Sequence, residues 1–157
     1  TRVNKSFIRV ESDEVTYPLH IILRFNLEQK IFNNEIKISD IPELWNYEYK
    51  KLFNKEVDMD SNGCLQDVHW YAGLFGYFPT YSLGALTAAQ LASQLRQDVL
   101  NLDDQVEKGD FKELLQWLKS NVHSKASLYS SNEILQQVTN SNLNAKYFEY
   151  YIKNRYL

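Results

Sequence analysis

An all-α fold is predicted by three observations. Apolar residues recur at three- and four-residue spacing along most of the chain, groups that start helices precede those stretches, and the alternation expected of half-buried strands is scarce. The first helix is expected from Ser12-Asp13-Glu14-Val15, where a capping residue and acids precede Val15, Leu19, Ile22, Leu23, Leu27 and Ile31. Those positions give one buried face over about five turns, with Pro18 early enough to be tolerated, at the cost of a kink at most. A second helix starts at Ser39-Asp40, with Pro42 in its first turn, and runs to about Asn54.

Asp58 to Gly63 is polar and turn-forming, and Gly73, Gly76 and Gly84 punctuate an aromatic stretch holding Trp70, Tyr71, Phe75, Tyr77, Phe78 and Tyr81. From Ser82 to Leu100 a long buried helix is expected, because Ala85, Ala88, Ala89 and Ala92 permit close packing. Phe111 to Val122, Ser130 to Thr139 and Asn144 to Tyr156 complete the helical set, with His123 stabilising a helix end. No internal repeat, low-complexity tract or flexible linker divides the chain, so residues 1–157 are read as a single helical region.

A chain of 157 residues with 44% hydrophobic and 14% aromatic residues can bury a substantial core. The formal charge of -3, without a concentrated Lys/Arg surface, argues against a nucleic-acid partner. One cysteine, Cys64, forms no internal disulfide, which suits a reducing, cytoplasmic compartment. No apolar run approaches the roughly 18 to 20 residues that span a bilayer, and Thr1-Arg2-Val3-Asn4-Lys5 is not followed by a signal-peptide core, so a soluble chain without a membrane partner is expected.

Three signals carry chemistry. Asp58-Met59-Asp60-Ser61-Asn62-Gly63 has the opening of an EF-hand calcium loop, and Leu65 satisfies the eighth position, but the twelfth is His69 where a two-oxygen carboxylate is needed. A solvated turn is the plainer reading of those residues. The second signal is the histidines: none of His20, His69 or His123 opens H-E-x-x-H, their fourth-following residues being Arg24, Gly73 and Ser127, so no zincin motif is present. The third is the run from Gly63 to Gly84. Within it Asp67 stands two residues before His69 and can orient the imidazole, while Tyr77 and Tyr81, one helical turn apart, can direct two phenols toward one point. An aromatic core around a satisfied buried histidine is the bland alternative.

Gly63 to Trp70 matches every fixed position of the signature GxxQDxHW, and Gly76 to Tyr81 continues as GYFPTY. Ile8-Arg9-Val10-Glu11-Ser12-Asp13 follows IRxxAD with serine for alanine, and the residues from Asp13 to Leu27 follow the adjoining DEVTY-x-LHIILR pattern. On these motifs the chain resembles the thermostable (Taq) carboxypeptidase family of zinc metallopeptidases along nearly its whole length. The resemblance implies an almost wholly helical fold, the C-terminal portion of a larger zincin-type metallopeptidase about three times as long. It also places the H-E-x-x-H zinc motif and the third, glutamate ligand before Thr1, so zinc is the expected cofactor and its ligands lie outside this chain, in a missing N-terminal catalytic portion.

The implied reaction removes the C-terminal residue of a peptide by a zinc-bound water, with the glutamate of H-E-x-x-H as general base. Carried over position by position, Arg9 is expected to grip the free carboxylate of the substrate and His69 to polarise the scissile carbonyl or stabilise its oxyanion. Tyr77 and Tyr81 are expected as further donors to the tetrahedral intermediate or the terminal carboxylate. Gln66 is assigned to substrate binding, with a structural clamp as the other reading; Asp67 holds the His69 ring, His20 has a supporting or purely structural role, and Arg24 is free to pair with an acid. The portion alone is expected to be inactive, and a homodimer is implied for the whole. The other reading is a helical interaction or regulatory module with a calcium loop at residues 58–69.

Overall fold

The computed structural model describes residues 2–157, and every regular element among them is helical. Seven α-helices follow in order: α1 Tyr17–Phe32, α2 Ile41–Phe53, α3 Pro79–Asp98, α4 Leu102–Glu107, α5 Lys112–Asn121, α6 Ser131–Thr139 and α7 Lys146–Tyr156. A short 3-10 turn at Arg9–Glu11 precedes α1, and others lie at Ile38–Asp40 before α2 and His123–Lys125 after α5. The chain divides into two compact units, one reaching to Ser82 and the other running from Leu83 to Leu157.

In the first unit the opening helix starts later than the sequence pattern suggests. Asp13 does not cap α1; its Oδ1 accepts from the backbone N–H groups of Val15 and Thr16 and folds a turn ahead of it. Regular helix then begins at Tyr17, with Pro18 in the first turn where a missing N–H is harmless. Helix α2 ends as expected, on Asn54 in the left-handed conformation, a state asparagine tolerates better than most residues. Helices α1 and α2 pack through Leu23, Leu27, Trp45, Tyr49 and Phe53, joined by Cys64 from the segment beyond α2. Each side chain of this size contributes roughly 1.5 to 3 kcal/mol by leaving water. The segment fits tightly at Gly63, where an added Cβ would lie 3.1 Å from Val57 and 3.4 Å from the Trp45 ring.

The second unit has its own apolar centre of Leu95, Val99, Leu102 and Trp117, lined by Leu91, Leu114, Leu118, Val122 and Val138. Helix α4 has no counterpart in the sequence reading, because six residues are too short to show a period. Helix α3 begins at Pro79, earlier than expected, and buries only Gln90 and Leu95. The alanines of α3 are thus not the centre of a buried helix among the described residues. Gln90 ties α3 to the turn between α6 and α7: its Nε2 donates to Thr139 Oγ1 and Ser141 Oγ, both at 2.8 Å, and to Asn142 O at 3.2 Å, while its Oε1 accepts from Asn144 N at 2.9 Å. No helix among the described residues is long and apolar enough to cross a membrane.

Candidate functional site

Helix α1 sets the frame of the site, because His20, Arg24 and Glu28 recur every fourth residue and all three are buried. A charged residue so placed needs a partner, and Arg24 finds it in the loop after α2. Its Nε donates to Asp67 Oδ2 at 2.6 Å and Nη2 also contacts that oxygen. Arg9, on the 3-10 turn ahead of α1, takes the other oxygen: Nε and Nη2 donate to Asp67 Oδ1 at 3.0 and 2.7 Å. Arg9 Nη1 donates to the Tyr17 phenol at 2.6 Å. One carboxylate thus balances two guanidiniums, and the three side chains carry a net positive charge.

Their titration reflects that balance. Burial lowers the Arg24 guanidinium to about 10, partly offset by Asp67, so it remains charged at neutral pH. Burial also works against Arg9, but Asp67 and Tyr17 outweigh it and its value is raised. For Asp67 the burial penalty is overcome by the two arginines, which hold the carboxyl below its usual range. Aromatic faces complete the enclosure: the Arg24 guanidinium lies 4.6 Å from the centre of the Trp45 ring, and that of Arg9 lies 5.0 Å from that of Tyr81.

His69 sits beside this cluster and is 7% exposed. Its Nε2 is 2.9 Å from the Tyr81 hydroxyl, and its ring packs on Phe78 at 4.5 Å and near Tyr77 at 5.8 Å. Desolvation lowers the imidazole, with Asp67 opposing and Arg9 and Arg24 adding to the effect, so the neutral form is favoured at pH 7. Burial in turn raises the Tyr81 phenol, which stays protonated.

The structure brings together Arg9, Asp67, His69, Tyr77 and Tyr81, all singled out from sequence, but redistributes their contacts. Asp67 does not hold the His69 ring by a hydrogen bond: its Oδ1 is 3.7 Å from Nδ1, which is buried without a partner, because both carboxylate oxygens are taken by arginines. Tyr77 is not on a helix with Tyr81; it lies ahead of α3, and the two rings meet edge to face at 5.4 Å. Gln66, expected among the substrate-binding residues, has its carboxamide occupied by backbone. Its Oε1 accepts from Arg9 N at 2.8 Å, and Nε2 points to the carbonyls of Phe7, Asn62 and Gly63. Both ends of the carboxamide thus engage backbone, joining the segment ahead of α1 to the loop after α2.

His20 is fully buried against Phe53 and Tyr49, and neither ring nitrogen makes a hydrogen bond. Burial, reinforced by Arg24, lowers it to about 4. Two residues of the site escaped the sequence reading in whole or part. The sequence pattern offers Arg24 only as a partner for some acid and gives Glu28 no role. The available signal was the four-residue recurrence of polar groups on a helix whose other positions are mostly apolar.

The residues at 58–63 form a turn in which Asn62 Nδ2 donates to Asp58 Oδ1 at 2.8 Å, so two would-be calcium ligands bind each other. No helix follows that loop before α3, whereas an EF-hand needs one on each side. Among the described residues no group of three His, Cys, Asp or Glu side chains is arranged to hold a metal ion. The described residues of this chain therefore do not by themselves make a metal site.

Comparison with known proteins adds the ancestry of this arrangement. Residues 1–156 match the carboxypeptidase Taq (M32) metallopeptidase family. Carboxypeptidase 1 of Bacillus subtilis is 44% identical over 151 residues, covering 96% of this chain and 30% of that protein. Thermostable carboxypeptidase 1 of Pyrococcus furiosus is 40% identical over 155 residues, covering 99% and 31%. The solved Pyrococcus furiosus carboxypeptidase superposes with a TM-score of 0.95 at 40% identity, over 99% of this chain and 31% of that one. Metallocarboxypeptidase 1 of Trypanosoma cruzi gives 0.94 at 39% identity, over 99% and 33%. The chain spans about 30% of the length of these curated relatives, and by sequence and fold alike it belongs to the carboxypeptidase Taq (M32) family of metallopeptidases.

Proposed function

We propose that this chain is the C-terminal portion of a zinc carboxypeptidase that releases the last residue of peptides, and that it supplies substrate-recognition and transition-state groups while the metal is held elsewhere in the protein. The observation that carries this reading is the hydrogen bond between His69 and Tyr81 beside the buried cluster of Arg9, Arg24 and Asp67. Zinc as the metal, a cytoplasmic location and a homodimer belong to the same reading.

Each group has work to do on such a substrate. A neutral His69 with its proton on Nε2 donates to the Tyr81 oxygen and leaves the phenol O–H free to donate to a carbonyl. With the proton on Nδ1, Tyr81 donates to Nε2 and no donor is spare. A carbonyl oxygen arriving at the phenol selects the first arrangement, and the charge developing there strengthens the bond in the transition state. Tyr77, half exposed against both rings, shields the pair and offers a second phenol. Arg9 offers a planar guanidinium to a terminal carboxylate, with Asp67 and Tyr17 fixing its plane. Gln66 acts by locking the backbone of Arg9 to the loop that carries His69.

The test is turnover of a blocked dipeptide with a free C terminus by the full-length protein. His69→Ala is expected to lower kcat by about two to three powers of ten with bound metal unchanged. Unaltered turnover would remove His69 from the reaction.

A further inference from the structure

Glu28 is 4% exposed, and the hydrogen bonds that hold its carboxylate come from neutral donors. Oε1 accepts from the Trp70 indole at 2.9 Å and Oε2 from the backbone N–H of Gly76 at 3.1 Å. A carboxylate taken from water at this depth is costly, and an apolar side chain fills comparable volume without that cost. What an apolar residue or a glutamine lacks is two acceptor oxygens side by side. A glutamine in the same place turns an N–H group toward one of the two donors. The position therefore demands a carboxylate for geometry.

The geometry bears directly on the site. Trp70 follows His69 in sequence and Gly76 precedes Tyr77, so Glu28 draws together the two ends of the loop between the residues whose rings lie 5.8 Å apart. Gly76 adopts φ 75°, a left-handed state that glycine enters without strain, and this gives the loop its sharp return at that end. One turn earlier on α1, Arg24 holds Asp67, two residues before His69. Successive turns of one helix thus grip the chain on both sides of the imidazole, one with a cation and one with an anion.

We propose that Glu28 is a positioning residue for His69, acting through Trp70 and Gly76 to hold the imidazole in register with Tyr81. The inference rests on the catalytic reading of His69 given above, and extends it to a residue that touches neither substrate nor metal. Misplacement of a reacting group by an ångström is enough to cost one to two powers of ten in rate.

The experiment is a double-mutant cycle in the full-length protein, reading kcat, KM, bound metal and melting temperature with the blocked dipeptide. Glu28→Gln is expected to lower kcat by about tenfold, to leave KM within about twofold and metal content intact, and to have no further effect once His69→Ala is present. Trp70→Phe, which removes one of the two donors and keeps an aromatic ring in place, is expected to show a smaller loss with the same dependence on His69. It carries the test should Glu28→Gln fail to fold. Unchanged kcat in these variants, or an equal proportional loss with and without His69, overturns the positioning role. If His69→Ala itself leaves kcat unchanged, the catalytic reading fails first, and that result is distinct from a wild-type dependence on His69 that ignores Glu28.

Discussion

The two units of the chain solve the same problem, how to bury polar side chains, in opposite ways. In the unit that ends at Ser82, Arg9, Arg24, Asp67 and Glu28 place ionisable groups among aromatic rings. In the unit that begins at Leu83, the one fully buried polar side chain is the neutral Gln90, and the ion pairs Arg96 to Asp103 and Lys153 to Glu149 lie in solvent. Buried charge is a poor source of stability, because desolvation cancels most of the attraction. Its concentration in one unit therefore points to work other than holding the fold, whereas the second unit is organised by leucine and tryptophan packing and by local caps such as Ser130 with Glu133.

The contrast can be broken most severely at Asp67. Asp67→Asn leaves two buried guanidiniums without a counter-charge and is expected to cost about 3 to 5 kcal/mol in chemical denaturation. The matching change in the other unit, Asp103→Asn, disrupts an exposed pair and is expected to leave the denaturation midpoint where it was. Equal losses from the two would remove the distinction.

A pH titration of stability sharpens the comparison. His20 has a folded value near 4, against about 6.5 unfolded, and is buried in its neutral form. The unfolded chain therefore binds the proton first, and stability falls as pH drops from about 6.5 toward 4, by about 3 kcal/mol from this group. His20→Phe is expected to flatten that limb of the melting-temperature profile. An unchanged slope would mean that the ring is protonated or hydrated in the native state.

A smaller loss than at Asp67 belongs to the neutral network. Gln90→Leu removes the donor to Thr139, Ser141 and Asn142 and the acceptor for Asn144, and is expected to destabilise by about 1 to 3 kcal/mol with no dependence on pH between 4 and 8. A pH-dependent loss would show that charge enters this unit after all.

Much of this molecule is legible in its sequence, for a physical reason that differs from element to element. The expected helices ending near Asn54, Leu100, Val122, Thr139 and Tyr156 all appear within a few residues, since apolar period, prolines and caps act over one or two turns. Helix α4 escapes because it is shorter than the period it would have to display. On α1, Ile22 falls on the expected buried face yet is 44% exposed, while His20, Arg24 and Glu28, which interrupt the apolar pattern, are buried. Hydropathy ranks an arginine as a surface residue, and only a carboxylate delivered from 43 positions away reverses that.

The helical class and the family are legible in the chain alone, because each is written in local pattern or in a contiguous motif. Packing chose that Asp67 bonds two arginines rather than His69, that the Gln66 carboxamide engages backbone, and that Glu28 holds Trp70 and Gly76. Those outcomes depend on which donors reach which acceptors across more than 40 residues of chain. A carboxylate has four lone-pair directions and no preference written in its neighbours, so its partners are chosen by packing.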